Sequence, residues 1–410
     1  MTKRVIKQKI KLSLVVLTSI FVIAGCGDED EILPNPIPVV EDPKVAYDLL
    51  WNKDIGDGIG ESLLKLVPSY GYDKLFIADT NGEVSARNVN NGEVIWQVNV
   101  KEKISAGVTV ANRMAVVATR EGEIVALNVE DGSELWRSQL SSEIISPPAV
   151  GDGVVVANTV DGKIIAVDAE TGTSKWFYDR NLPPLTLRGT SSPVIALGAA
   201  IAGFANGKVG VFVIENGRLA WERQVTAPSG RSDLQRLVDV DAQPIVFGST
   251  LYVSSFNGNL LALEVRSGEP LWSRELSSFQ DMSIDNQTLL VTHDNGYVSS
   301  LNRNNGSLLW TQKALFLRQT TSPVPYEGHI VVGDMGGFLH MLDKSTGKLI
   351  GQINVNNHLN ISDCYDSEVN CRLHNYEAYG IASQPIVMND LLIVQTRNGH
   401  LIAYKNRKPE

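Results

Sequence analysis

Beyond residue 11 the sequence has no run of more than two basic residues, and its formal net charge is -10. A chain this acidic lacks the electrostatic footprint that binding to nucleic acid requires. Long hydrophobic runs are missing too. The apolar stretch from Leu12 to Ile23 spans 12 residues, short of the roughly 20 that a membrane-spanning helix needs. Cysteine is scarce, with Cys26, Cys364 and Cys371 the only three in 410 residues, and no two are adjacent. His358 and His374 lie near the last two, but the spacing matches no usual zinc pattern.

The N-terminus carries an address. Lys3, Arg4, Lys7, Lys9 and Lys11 form a cationic head before the apolar run, and together they read as a secretory signal over residues 1–25. Ile23-Ala24-Gly25-Cys26 resembles the lipobox of bacterial lipoproteins. That resemblance implies that Cys26 is acylated, palmitate included, and becomes the mature N-terminus. Gly27 follows, where lipoproteins kept at the inner membrane usually carry Asp; this implies the outer membrane, facing the periplasm. Cleavage removes five positive charges and no acids, taking the net charge from -10 to -15. Residues 26–44 hold Asp28-Glu29-Asp30-Glu31 and Pro34, Pro36, Pro38 and Pro43. A segment so acidic and proline-rich cannot bury a core, and it is expected to be a tether. With Cys26 given to lipid, Cys364 and Cys371 are left to pair in an oxidising compartment. Closing that loop is worth roughly 2.5 kcal/mol in the chain-entropy model. The rival reading of the two cysteines is a metal site.

The remainder, residues 45–410, is a repeat. Trp96, Trp136, Trp176, Trp221, Trp272 and Trp310 each stand four residues after a glycine, and that glycine stands ten after another. Trp51 has no glycine partners before it, whereas Asn398-Gly399-His400-Leu401-Ile402-Ala403-Tyr404 opens the phrase at the other end without reaching a tryptophan. A closed ring accounts for both, with the N-terminal strand completing the last repeat. In the third unit, Val154–Asn158, Lys163–Asp168 and Thr173–Trp176 read as short strands separated by Asp161-Gly162 and Thr171-Gly172 turns. An opening strand follows Ser146-Pro147, where proline suits an edge. Opening glycines at 82, 122, 162, 207, 258, 296, 337 and 399 count eight units. The expected fold is all-β: an eight-bladed propeller of four-stranded antiparallel blades. Each tryptophan is expected to pack between neighbouring blades. Blade seven has Gly351 in the tryptophan position. Its joint is expected to pack less well and to be covered by the insert at 356–378, which holds Cys364 and Cys371.

Ala166 to Trp176 resembles the tryptophan-docking motif of quinoprotein-type propellers. WD-type repeats are a poor match, because no tryptophan is followed by aspartate. Two families share the motif. Resemblance to the quinone (PQQ)-dependent dehydrogenases would imply adjacent cysteines over the cofactor and a calcium site, and neither motif is present. Leu182-Pro183-Pro184-Leu185-Thr186-Leu187-Arg188-Gly189 and Leu237-Val238-Asp239-Val240-Asp241 instead resemble two connectors of the BamB family, lipoproteins of the outer-membrane β-barrel assembly machinery. Val332-Gly333-Asp334 and Leu339-His340 are also similar to that family. The resemblance implies a scaffold that is not an enzyme, holds no cofactor, and aids the folding and insertion of outer-membrane proteins. It further implies that Leu185, Leu187, Arg188, Asp239 and Asp241 meet a POTRA domain of the barrel-forming subunit, with nascent outer-membrane proteins as further partners. The cysteine insert is not a feature of the resemblance.

The residues point to the same place. Trp136 to Pro147 spans eleven positions and Trp310 to Pro323 thirteen, whereas Trp176 to Pro193 spans seventeen and Trp221 to Pro244 twenty-three. The two long connectors flank one blade, so a ring sets them side by side, and long loops on a rigid scaffold are where binding usually lives. Leu185 and Leu187 alternate and are expected to project together beside Arg188, with Asp239 and Asp241 sharing a face.

Overall fold

A computed structural model describes residues 32–59, 64–187, 189–358, 380–381 and 383–407. The compact unit begins at Asn35 and is a ring of eight antiparallel sheets, an eight-bladed β-propeller. In blade three the strands are Ala149–Gly151, Val154–Asn158, Ile164–Asp168 and Ser174–Tyr178, paired in sequence order. The second and third strands are almost wholly buried, as the Val/Ile/Ala runs require, while the fourth buries Trp176 alone.

The ring closes through the termini. Tyr47–Asp54 is the outer strand of blade eight, pairing antiparallel with His400–Asn406 in a register that sets Trp51 opposite Ala403 and Lys53 opposite Leu401. Closure pairs two strand edges that would otherwise be open to association.

Adjacent blades are joined by the tryptophans. Each of the seven indole N–H groups donates to a backbone carbonyl of the next blade at 2.8–3.0 Å, as Trp136 does to Ala169 and Trp51 to Val89. The ring face lies on the second glycine of that blade. Gly132 shows why this must be glycine: its φ is +75°, and a Cβ would fall 2.6 Å from the Trp96 ring.

Where blade seven lacks a tryptophan, the joint is nonetheless filled, contrary to the expectation of poorer packing. The N-terminal segment does the filling. The amide of Lys44 donates to the Ile350 carbonyl at 2.6 Å, and the Val45 carbonyl lies 2.7 Å from where a Gly351 side chain would begin. Tyr47 then enters a buried cluster with Tyr326 and Tyr404 and hydrogen-bonds to His329. Glycine at 351 makes room for a passing backbone. Cys364 and Cys371 lie outside the described residues.

The proline-rich segment also differs from a free tether over its later part. It forms no regular structure from residue 32 to residue 46, but Asn35 is seated on the connector between blades six and seven. Its amide donates to the Phe316 carbonyl at 3.0 Å, its side chain reaches the Ala314 carbonyl at 3.3 Å, and Arg318 Nη1 holds its carbonyl at 3.1 Å. Arg318 is itself buried and paired with Asp334 at 2.6 Å, and His340 Nε2 meets the same carboxylate at 2.9 Å. One asparagine can satisfy connector groups that have no ladder partner, which composition alone does not reveal.

One further strand departs from the four-stranded plan. Lys65–Leu66 adds parallel to Ile104–Ala111, the innermost strand of blade two, on its axial edge.

Candidate functional site

The two long connectors leave blade three at Tyr178 and blade four at Gln224, so that they flank blade four, and they lie together, as their lengths predict. The first is rooted by Arg180, whose guanidinium stacks 3.8 Å from the Phe204 ring centroid and pairs with Glu222. Prolines 183 and 184 keep the following residues out of a ladder. The second carries a short 3-10 turn, Leu234–Arg236, and then an arm from Leu237 to Ala242 that is buried along its whole length. Backbone bonds hold this arm between blades four and five: the Val240 amide donates to Phe204 at 3.1 Å, and Phe256 donates to Asp239 at 2.8 Å.

Asp239 and Asp241 sit on that arm, and neither is a surface group: Asp239 is 0% exposed and Asp241 6%. Alternation suggested one shared face, but a segment packed on both sides has no solvent face. Their carboxylates contact the first connector instead. The Leu187 amide donates to Asp239 Oδ2 at 2.5 Å. Gly189 lies directly on the Asp241 carboxylate, so closely that a Cβ would overlap it. The residue between these two contacts, Arg188, lies outside the described residues, as does Cys26.

The leucines also differ from a matched pair. Leu185 is 47% exposed, whereas Leu187 is half-buried and lines a cavity of about 110 Å³ with Thr186, Phe204 and Asp241. Leu182 and Leu234 add exposed apolar surface on the same two connectors. The arrangement is thus a displayed apolar strip above two buried acids. Sequence reasoning did not find Lys65 and Asp281, which touch the arm from other blades. Gly189 was visible only as the last letter of a motif.

Burial has an electrostatic consequence. Desolvation, reinforced by Asp241 and opposed by the Leu187 amide, pushes the Asp239 carboxyl up to about 7. Asp241 is pushed up to about 6 by burial, with Lys65 opposing and Asp281 adding to the rise. A raised carboxyl binds protons in the folded chain that the unfolded chain has released. Stability from these groups is therefore fully present below about pH 4 and is lost as pH rises through 6 to 7. Asp239→Asn, a neutral isostere that can still accept from Leu187, is expected to flatten this dependence and to gain about 1–3 kcal/mol over the wild type at pH 8. Urea unfolding midpoints at pH 5 and pH 8 check it; parallel pH profiles for the two proteins would contradict it.

A family model described as outer membrane protein assembly factor BamB matches residues 80–312 and 294–408. The outer membrane protein assembly factor BamB of Kangiella koreensis is 42% identical over 399 residues, covering 97% of this chain and 96% of that protein. The Escherichia coli protein of the same name is 34% identical over 403 residues, covering 95% and 97%. Among solved structures, BamB from Moraxella catarrhalis aligns with a TM-score of 0.75 at 24% identity, over 88% of this chain and 100% of that one. A quinohemoprotein alcohol dehydrogenase from Comamonas testosteroni aligns with a TM-score of 0.66 at 13% identity, over 89% and 78%; both likenesses speak to fold alone. With the family model covering most of its length and relatives 34% and 42% identical nearly end to end, the chain belongs to the BamB family of outer membrane protein assembly factors.

Proposed function

We propose that the protein is a non-enzymatic scaffold, anchored by lipid on Cys26 to the periplasmic face of the outer membrane. It docks a POTRA domain of the barrel-forming subunit on the two connectors around blade four, and so aids the folding and insertion of nascent outer-membrane proteins. The observation that carries this reading is the junction of the connectors. A strip bearing Leu185 and Leu187 is seated on two buried carboxylates, one on the Leu187 amide and one under Gly189. Asp239 and Asp241 act in this scheme by fixing the shape of the strip, and the leucines supply area that loses water on docking. A quinone-dependent dehydrogenase is the alternative that fold alone allows. The sequence counts against it, because no two of its cysteines are adjacent.

Pull-down of the full chain from detergent-solubilised outer membranes tests the scaffold: a POTRA-bearing barrel protein is expected to co-purify. Quinone-dependent dye reduction by the purified protein, without such a partner, would favour the enzyme. The anchor has its own test. Cys26→Ser is expected to leave an uncleaved or soluble form lacking acyl chains, each of whose buried CH₂ groups contributes roughly 0.8 kcal/mol to membrane binding. A Ser variant still acylated and recovered with the outer membrane would contradict it.

A further inference from the structure

We infer that Lys65, carried on the extra strand of blade two, is a positioning residue for the docking connectors on the far side of the sequence. The inference rests on the docking reading above and adds a component to it. Lys65 Nζ donates to the Asp241 backbone carbonyl at 3.0 Å and lies 3.3 Å from Asp281 Oδ1. The same Asp281 oxygen accepts the Gln243 amide at 2.7 Å. Lys65 and Asp281 thus hold the end of the buried arm on both sides of Ala242, one by a carbonyl and the other by an amide.

The base of the lysine is itself fixed. Lys65 pairs with Ala106 and Leu66 with Gly107; the Val67 amide donates to Gly107 at 2.8 Å, and Val108 donates back to Val67 at 3.1 Å. Leu66 is buried among the core residues shared by blades one and two. The ammonium and the Asp281 carboxylate are 28% and 29% exposed as side chains, so their attraction is less screened than that of a fully exposed pair. Each contact that shapes the docking strip depends on the depth of the arm. Asp239 must reach the Leu187 amide and Asp241 must lie under Gly189, and a hydrogen bond weakens steeply once its geometry slips. Supporting residues of this kind hold binding surfaces within about half an ångström of their productive geometry. Blade two therefore contributes to a surface built by the connectors around blade four, across 176 positions of sequence.

The test compares the full, lipidated chain in detergent with its Lys65→Met, Lys65→Arg and Leu187→Ala variants. Binding to the barrel-forming subunit and hydrogen exchange at the Leu187 amide are both measured. Lys65→Met is expected to weaken binding about tenfold and to speed exchange at Leu187, with an unchanged unfolding midpoint, while Lys65→Arg restores binding to within about threefold. If Lys65→Met binds like the wild type while Leu187→Ala does not, the positioning role is overturned and the docking site stands. Loss of binding that tracks a lowered unfolding midpoint and is not rescued by arginine would also overturn it, assigning Lys65 to general stability. A wild-type chain that does not bind the subunit sinks both.

Discussion

Truncation of Trp136 to alanine is expected to destabilise the ring by about 3–5 kcal/mol, the range for removing a large buried aromatic side chain. Its indole is buried between blades two and three, its N–H donates to the Ala169 carbonyl at 2.9 Å, and its face covers Gly172. Alanine would leave a cavity at the joint and strand a buried carbonyl, which adds its own desolvation cost. Trp272 makes the same hydrogen bond, to Arg303 at 2.9 Å, but is only half-buried, so Trp272→Ala is expected to cost less. Phe177, 65% exposed on the same outer strand as Trp176, is the control, and its truncation is expected to fall within about 0.5 kcal/mol of the wild type. Denaturant unfolding followed by tryptophan-independent circular dichroism measures all three. Equal midpoints for Trp136→Ala and Phe177→Ala would contradict the role given to the blade joints.

Leu187→Ala and Arg188→Ala are each expected to weaken binding of the barrel-forming subunit by about 2 kcal/mol or more, roughly thirtyfold, with little change in thermal unfolding. The separation of the two effects follows from where the strip stands. The first connector lies outside the blade ladders, so trimming side chains on it leaves the ring's ladder hydrogen bonds intact. Gly189→Ala is expected to act on the same interaction by a different route. Its new Cβ would overlap the Asp241 carboxylate and lift the strip from its seat. Equilibrium binding measured for the three variants and the wild type checks this. Wild-type affinity in all three would remove the connectors from the interface.

The ring was legible in the sequence because its signal is periodic. A glycine, ten positions, a second glycine, four positions and a tryptophan recur often enough to count blades and to assign Trp51 to the last one. Connector length likewise marked blade four, since the junction is built from neighbours in chain order. What escaped was carried by single contacts between distant segments. Nothing local distinguishes Lys65 from the other lysines, or Asn35 from other tether residues, until the ring brings them to Asp241 and Phe316. The burial of Asp239 and Asp241 escaped for a related reason: alternation predicts a face only in a strand with one side in water, and this arm is packed on both sides. At blade seven, Gly351 read as a missing tryptophan because the backbone that takes its place comes from residue 45.

The proposed docking face for the partner is the connector side of blade four. A photo-crosslinking residue placed at Leu185, on the first connector, tests it most directly against the same residue at Leu197, which is 64% exposed in the turn between that blade's first two strands. A crosslink to the barrel-forming subunit is expected from position 185 in intact outer membranes and none from position 197. A crosslink from 197 alone, or from neither, would contradict it.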